Sequence, residues 1–141
     1  MNLKDNQTDI LVRHYKAPLN KGRLSDETAY ETAYNPKCGD VIHLSIRIDS
    51  NGLIKKVMFD GHGCMICLAS ASILTDKVNN LSTGDAHHLI NTVEKLLKLN
   101  KDEIDLESLP DDIQALSSVR SFPTRTQCVT LAWHALRQAL K

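Results

Sequence analysis

The stretch Asp40-Val41-Ile42-His43-Leu44-Ser45-Ile46-Arg47-Ile48-Asp49-Ser50-Asn51-Gly52 decides the fold. Ile42, Leu44, Ile46 and Ile48 alternate with His43, Ser45, Arg47 and Asp49, the period of two that marks a strand buried on one face only. Ser50-Asn51-Gly52 then predicts a tight hairpin turn, because Asn and Gly accept positive φ. Leu53 to Asp60 returns as the partner strand, with Leu53, Val57 and Phe59 on one parity. Upstream, Thr28 to Tyr34 alternates more weakly and is stopped by Asn35-Pro36, which supplies a third strand.

Outward from this meander the periodicity changes to that of helices. Asp9 to Tyr15 carries apolar residues at helical spacing and ends before Lys16-Ala17-Pro18, where proline disfavours further helix. Pro18 to Asp26 reads as a basic loop, either a solvated surface or a docking surface. Downstream, Cys67, Leu68, Ala71, Leu74 and Val78 repeat every three or four residues and stop at Asn79-Asn80. Thr83-Gly84-Asp85 starts a further helix bearing Leu89, Ile90, Val93, Leu96 and Leu97. Lys101 to Asp112 is acidic and reads as a loop with at most a short helical turn. The last helix is predicted from the capping box Thr124-Arg125-Thr126-Gln127, followed by the stripe Cys128, Leu131, Ala132, Ala135, Leu136, Ala139 and Leu140. Strands first and helices after predict an α+β fold, a three-stranded antiparallel sheet with helices packed on one face, as one domain over residues 1–141.

Lys plus Arg and Asp plus Glu each number 17 in 141 residues, so the balance of charge asks for neither nucleic acid nor an anionic membrane. The sequence has no apolar run of about 18 residues. Its first residues, Met1 to Asn6, lack the apolar core of a signal peptide, and the expected location is the cytoplasm. In that reducing compartment four cysteines are metal ligands, catalytic thiols or core residues before they are structural disulfides.

The chemistry gathers at Gly61-His62-Gly63-Cys64-Met65-Ile66-Cys67, where a strand ends, glycines turn the chain and a helix begins. A cysteine at such a corner meets free backbone N–H groups and the positive end of the helix dipole, surroundings that favour thiolate. If the second strand extends back through Gly39, then Asp40 and Cys38 share the inward parity of Ile42. A buried carboxylate must reach solvent, pair with a cation or coordinate a metal. Cys128 lies one turn into the last helix and faces inward. Each residue also has a plainer reading, Cys128 as core, Cys64 as a helix start and Asp40 as a turn cap. Together they supply three sulfurs and one oxygen, the ligand number of a tetrahedral zinc site. His62 is a reserve ligand. Cys67 lies on the apolar stripe, and a redox pair with Cys64 competes with simple core packing for its role.

His14-Tyr15-Lys16-Ala17-Pro18-Leu19-Asn20-Lys21-Gly22, Asn35-Pro36-Lys37-Cys38-Gly39-Asp40, the segment Gly61 to Ser72 and Phe122-Pro123-Thr124-Arg125-Thr126-Gln127-Cys128 resemble, in order, the motifs of SufU-type iron–sulfur cluster assembly proteins of the IscU/NifU N-terminal superfamily. The resemblance spans nearly the whole chain and implies a SufE/IscU-like fold. It implies zinc bound by Cys38, Asp40, Cys64 and Cys128, and a sulfurtransferase that takes persulfide sulfur from a SufS-type cysteine desulfurase on Cys128, with Arg125 beside it. Downstream iron–sulfur assembly proteins are the implied recipients. Scaffold-type relatives usually place histidine before the last cysteine, where this chain has Gln127, and the insertion from about Thr83 to Asn100 is likewise SufU-like. Both favour sulfur transfer over the alternative, a scaffold for a transient [2Fe–2S] cluster. Many SufU sequences have serine where this chain has Cys67, so the extra thiol could compete for metal or pair with Cys64 on oxidation.

Overall fold

The computed structural model describes residues 3–98 and 105–141, with side chains from residue 6 onward. β1 (Ala29–Asn35), β2 (Asp40–Ile48) and β3 (Ile54–His62) form an antiparallel sheet in the order β1-β2-β3. The alternation along β2 is realised as predicted, Ile42, Leu44 and Ile46 being fully buried. β3 departs from simple alternation. Arg47 pairs with Lys56 but Ile48 pairs with Ile54, so one extra residue bulges out of β3 and the side on which its residues point switches. Ile54, Val57 and Phe59 are all buried as a result, while Leu53 lies outside the strand and bridges to Ser82.

Five helices complete the fold: α1 (Leu3–Lys16), α2 (Met65–Val78), α3 (Thr83–Leu96), α4 (Asp111–Leu116) and α5 (Pro123–Ala139), of which α2 and α5 lie on the sheet, α1 and α4 pack on α2, and α3 packs on α5. None of the described helices is long and apolar enough to cross a membrane. α2 is the central one, touching α1, α5 and β3. Its sequence suggests one apolar stripe, yet Ile66, Cys67, Ala69, Ser70, Ala71, Ser72, Ile73, Leu74, Thr75 and Val78 are all buried. Small hydroxyl residues make this affordable because each finds a partner. Ser70 Oγ donates to the Val129 carbonyl at 2.7 Å and accepts from Trp133 Nε1 at 3.0 Å, and Thr75 Oγ1 donates to the Ser72 carbonyl at 2.8 Å. Trp133 is fully buried there, tying α5 to α2.

Two local expectations are extended by the structure and a third is corrected. The basic loop after α1 is tied to the sheet, since Phe59 N–H donates to the Asn20 carbonyl at 3.0 Å and Gly22 N–H to the Phe59 carbonyl at 2.7 Å. The acidic segment carries the short turn expected of it, at Leu106–Ser108, and its last two residues begin α4, a helix the sequence did not announce, which buries Ile113, Ala115 and Leu116. A helix of 6 residues shows too little periodicity to be read from sequence; residues 101–104 lie outside the described residues. The capping box fails, because α5 starts two residues earlier, at Pro123, with Phe122 in place of Thr124 as its N-cap and no side-chain capping bond. Proline at the first helical position has no N–H to satisfy and a preset φ, so no side-chain cap is required. Thr126 Oγ1 instead donates to the Pro123 carbonyl at 2.7 Å.

Candidate metal centre

The site forms where β1–β2, the end of β3 and the start of α5 meet. Asn35 closes the β1–β2 turn, its carbonyl accepting from Gly39 N–H at 2.9 Å and its Oδ1 from Lys37 N–H at 3.2 Å. Gly39 sits in the left-handed region at φ 70°, a conformation glycine adopts without strain. Cys38 is exposed on this turn and is not a strand residue, so the parity expected for it does not apply; the turn aims it instead. Asp40, the first residue of β2, does have the inward parity and is fully buried. Beyond β3, Cys64 is the N-cap of α2. Its backbone N–H donates to Asp40 Oδ1 at 2.9 Å and its Sγ accepts from Cys67 N–H at 3.4 Å. Gly63, at φ 155°, lets the chain pass this closely, for a Cβ there would overlap the Asp40 carboxylate. Cys128, 2% exposed in the second turn of α5, hydrogen-bonds through Sγ to the Thr124 carbonyl at 3.4 Å.

These elements bring residues remote in sequence to one point. Cys128 Sγ and Cys38 Sγ are 3.9 Å apart, and the ligand atoms of Cys38, Asp40 and Cys128 all lie within 4.8 Å of one another. Cys64 Sγ is 3.9 Å from Asp40 Oδ2 but falls outside that three-residue group. His62 is exposed and does not join it. Arg125 is exposed on the first turn of α5, and among the described residues its guanidinium has no hydrogen bond or ion pair. Cys67 is fully buried behind Cys64.

The donor set fits a thiophilic divalent ion. Bonds of about 2.3 Å to sulfur and about 2.0–2.2 Å to oxygen in tetrahedral array set donors roughly 3.4–3.8 Å apart, close to the spacings seen. Asp40 is buried with no cationic partner among the described residues, an arrangement that costs free energy until a positive charge arrives. Burial, with Asp40 and Cys64 adding, pushes the Cys128 thiol far above its ordinary range; burial and then the charges of Asp40, Cys64 and Cys38 do the same to Cys67. A bound cation reverses the sign of that field at the ligand sulfurs.

Two participants escaped the sequence reading. Gly63 was taken only as a turn residue, and the close approach it permits is visible only in three dimensions. Asn35 was taken only as a strand stop, although it shares the inward parity of Ala29, Glu31 and Ala33, a signal that could have flagged it.

An antiparallel three-stranded sheet under helices, with a sulfur-rich donor cluster at the mouth of its central helix, defines an α+β domain with a candidate metal centre. Residues 6–141 match the NifU-like N terminal domain family, and the chain belongs to that family. It is 35% identical over 141 residues to the zinc-dependent sulfurtransferase SufU of Bacillus subtilis, covering 99% of this chain and 92% of that one. It is 34% identical over 132 residues to the iron–sulfur cluster assembly scaffold protein IscU of Streptococcus pyogenes, covering 94% and 80%. A crystal structure described as an iron–sulfur cluster assembly scaffold protein for the SUF system, from Fervidobacterium islandicum, superposes with a TM-score of 0.86 at 28% identity, covering 94% of this chain and 95% of that one.

Proposed function

We propose that this chain is a zinc-dependent sulfurtransferase of iron–sulfur cluster assembly, accepting persulfide sulfur from a SufS-type cysteine desulfurase on Cys128 and handing it to downstream assembly proteins. The observation that carries the reading is the convergence of Cys38, Asp40 and Cys128, three residues from a turn, a strand and a helix, within 4.8 Å. The similarity to a relative named for zinc-dependent sulfur transfer, across 99% of this chain, supports it.

Cys38, Asp40 and Cys128, with Cys64 beside them, would hold the ion. Zinc, when bound, keeps its thiolates deprotonated and contributes no redox activity of its own. Asp40 is held for this role by the Cys64 N–H and by the space Gly63 leaves. Cys128 is buried, so its sulfur is shielded from random oxidants, whereas Cys38 is exposed and marks the side open to a partner. In the transfer step the Cys128 thiolate bonds to the terminal sulfur of the donor persulfide. The donor sulfur–sulfur bond breaks, and the donor cysteine leaves as thiolate with the bond's electron pair. Arg125, exposed three residues before Cys128, supplies positive charge at the mouth of the site for that anionic sulfur.

The same thiolates and carboxylate also suit a transient [2Fe–2S] cluster, a reading favoured by the similarity to a relative named as an IscU scaffold. Cys128→Ser separates the two from a merely structural role. The variant is expected to stay folded and to take no labelled sulfur from the desulfurase, while the parent protein is labelled, binds one zinc and is colourless. Full labelling of the variant would overturn the assignment of Cys128. A stable brown cluster after anaerobic reconstitution, passed on to an apo-ferredoxin, would favour the scaffold.

A further inference from the structure

Beside the sulfur cluster lies a buried donor with nothing to donate to. Asn35 is 8% exposed, and its Nδ2 has no hydrogen-bond partner among the described residues. Buried amide N–H groups are nearly always bonded, so an orphan marks a place where a partner is missing. The amide is not simply turned the wrong way round. Its Oδ1 already accepts from Lys37 N–H, and exchanging oxygen for nitrogen would set two donors against each other.

The register says which face the orphan occupies. Asn35 stands directly opposite Asp40 in the β1–β2 ladder, and directly opposed residues project from the same face of a sheet. The carboxamide therefore shares the inner face with the buried carboxylate whose oxygen lies within 4.8 Å of the sulfurs of Cys38 and Cys128. Asp40 Oδ1 already has a donor in the Cys64 N–H. The two sulfurs of this group keep lone pairs that a bound ion does not use, and they are the acceptors left for the amide.

We infer that Asn35 is a positioning residue whose Nδ2–H donates to the anionic sulfur of the Cys38–Cys128 pair, tuning the ligand sulfurs from outside the coordination shell. This rests on the metal-centre reading given above, and it assigns Asn35 two tasks at once. Its oxygen shapes the turn that carries Cys38, and its nitrogen answers the charge that the turn delivers. Donors of this kind are what set the basicity and covalency of metal-bound sulfur.

Cobalt(II) substitution provides a readout independent of sulfur transfer. Asn35→Asp keeps the oxygen that accepts from Lys37 N–H and removes the donor; Asn35→Ala removes both. The inference predicts that both variants move the sulfur-to-cobalt charge-transfer band to lower energy, because sulfur lone pairs relieved of a hydrogen bond are more easily ionised. It also predicts cobalt and zinc binding about 10-fold to 100-fold weaker in both. A role in the turn alone predicts weaker binding in Asn35→Ala only, since the carboxylate of Asn35→Asp keeps the turn and attracts the cation, so a parental band, or unchanged or tighter binding, in Asn35→Asp would overturn the inference. If the parent protein itself shows no sulfur-to-cobalt band, the metal-centre reading has failed, which is a separate result.

Discussion

Two buried polar clusters lie along α2, and only one of them is complete. Midway along the helix, Ser72 Oγ meets His14 Nδ1 at 2.8 Å and also accepts from Leu19 N–H at 2.8 Å. His14 Nε2 lies 3.8 Å from Asp112, which in turn pairs with Lys77 at 3.1 Å. Every charge in that chain has an opposite, and it ties α1, α2 and α4 together. At the N-terminal mouth of the same helix Asp40 is buried without a cation among the described residues, three cysteines surround it and the Asn35 amide lacks an acceptor. The first cluster stabilises the fold as it stands. The second holds a buried carboxylate and an amide donor that no described residue of the chain answers.

The largest expected break in this contrast is Gly63→Ala. The added methyl overlaps the Asp40 carboxylate, so zinc affinity should fall by about 100-fold or more, read by competition with a chromophoric chelator. Ser72→Ala should do the opposite, destabilising the fold by about 1–3 kcal/mol in denaturant titrations because His14 Nδ1 and Leu19 N–H lose their partner, while leaving one zinc per chain. Loss of zinc from Ser72→Ala, or unaltered zinc binding in Gly63→Ala, would erase the distinction.

A pH series sharpens it further. Burial holds His14 below its ordinary pKa, outweighing the opposing pull of Asp112, so the folded state binds the proton more weakly than the unfolded chain. Stability of the metal-free protein should therefore fall as pH drops below about 6.5, where the unfolded chain begins to take up that proton. His14→Gln should flatten this part of the profile, measured as the denaturant midpoint between pH 7.5 and 5.5. The smallest effect on stability belongs to Arg125→Ala, within about 0.5 kcal/mol for so exposed a residue. That variant should retain its zinc yet accept labelled sulfur several-fold more slowly; an unchanged rate would remove Arg125 from the mechanism.

Much of this architecture was legible in the residues. β2 alternates cleanly because one face is core and the other is not, and its parity correctly turned Asp40 inward. The β3 bulge was not legible, since it depends on pairing with β2 and not on the pattern of β3 alone. α2 hid the breadth of its buried surface behind serine and threonine, whose hydroxyls are acceptable inside only because partners from α1 and α5 reach them. α4 was too short and too acidic to announce itself. At the site, the sequence supplied the candidate residues but misplaced Cys38 on a strand. A turn, with Gly39 at positive φ and the Asn35 side chain bracing it, delivers that sulfur.

X-ray absorption at the zinc edge tests the central claim most directly. The account predicts one zinc per chain with sulfur scatterers at about 2.3 Å and an oxygen at about 2.0–2.2 Å, and one sulfur fewer in zinc-loaded Cys128→Ser. A shell made only of nitrogen and oxygen, or one that Cys128→Ser leaves unchanged, would contradict it.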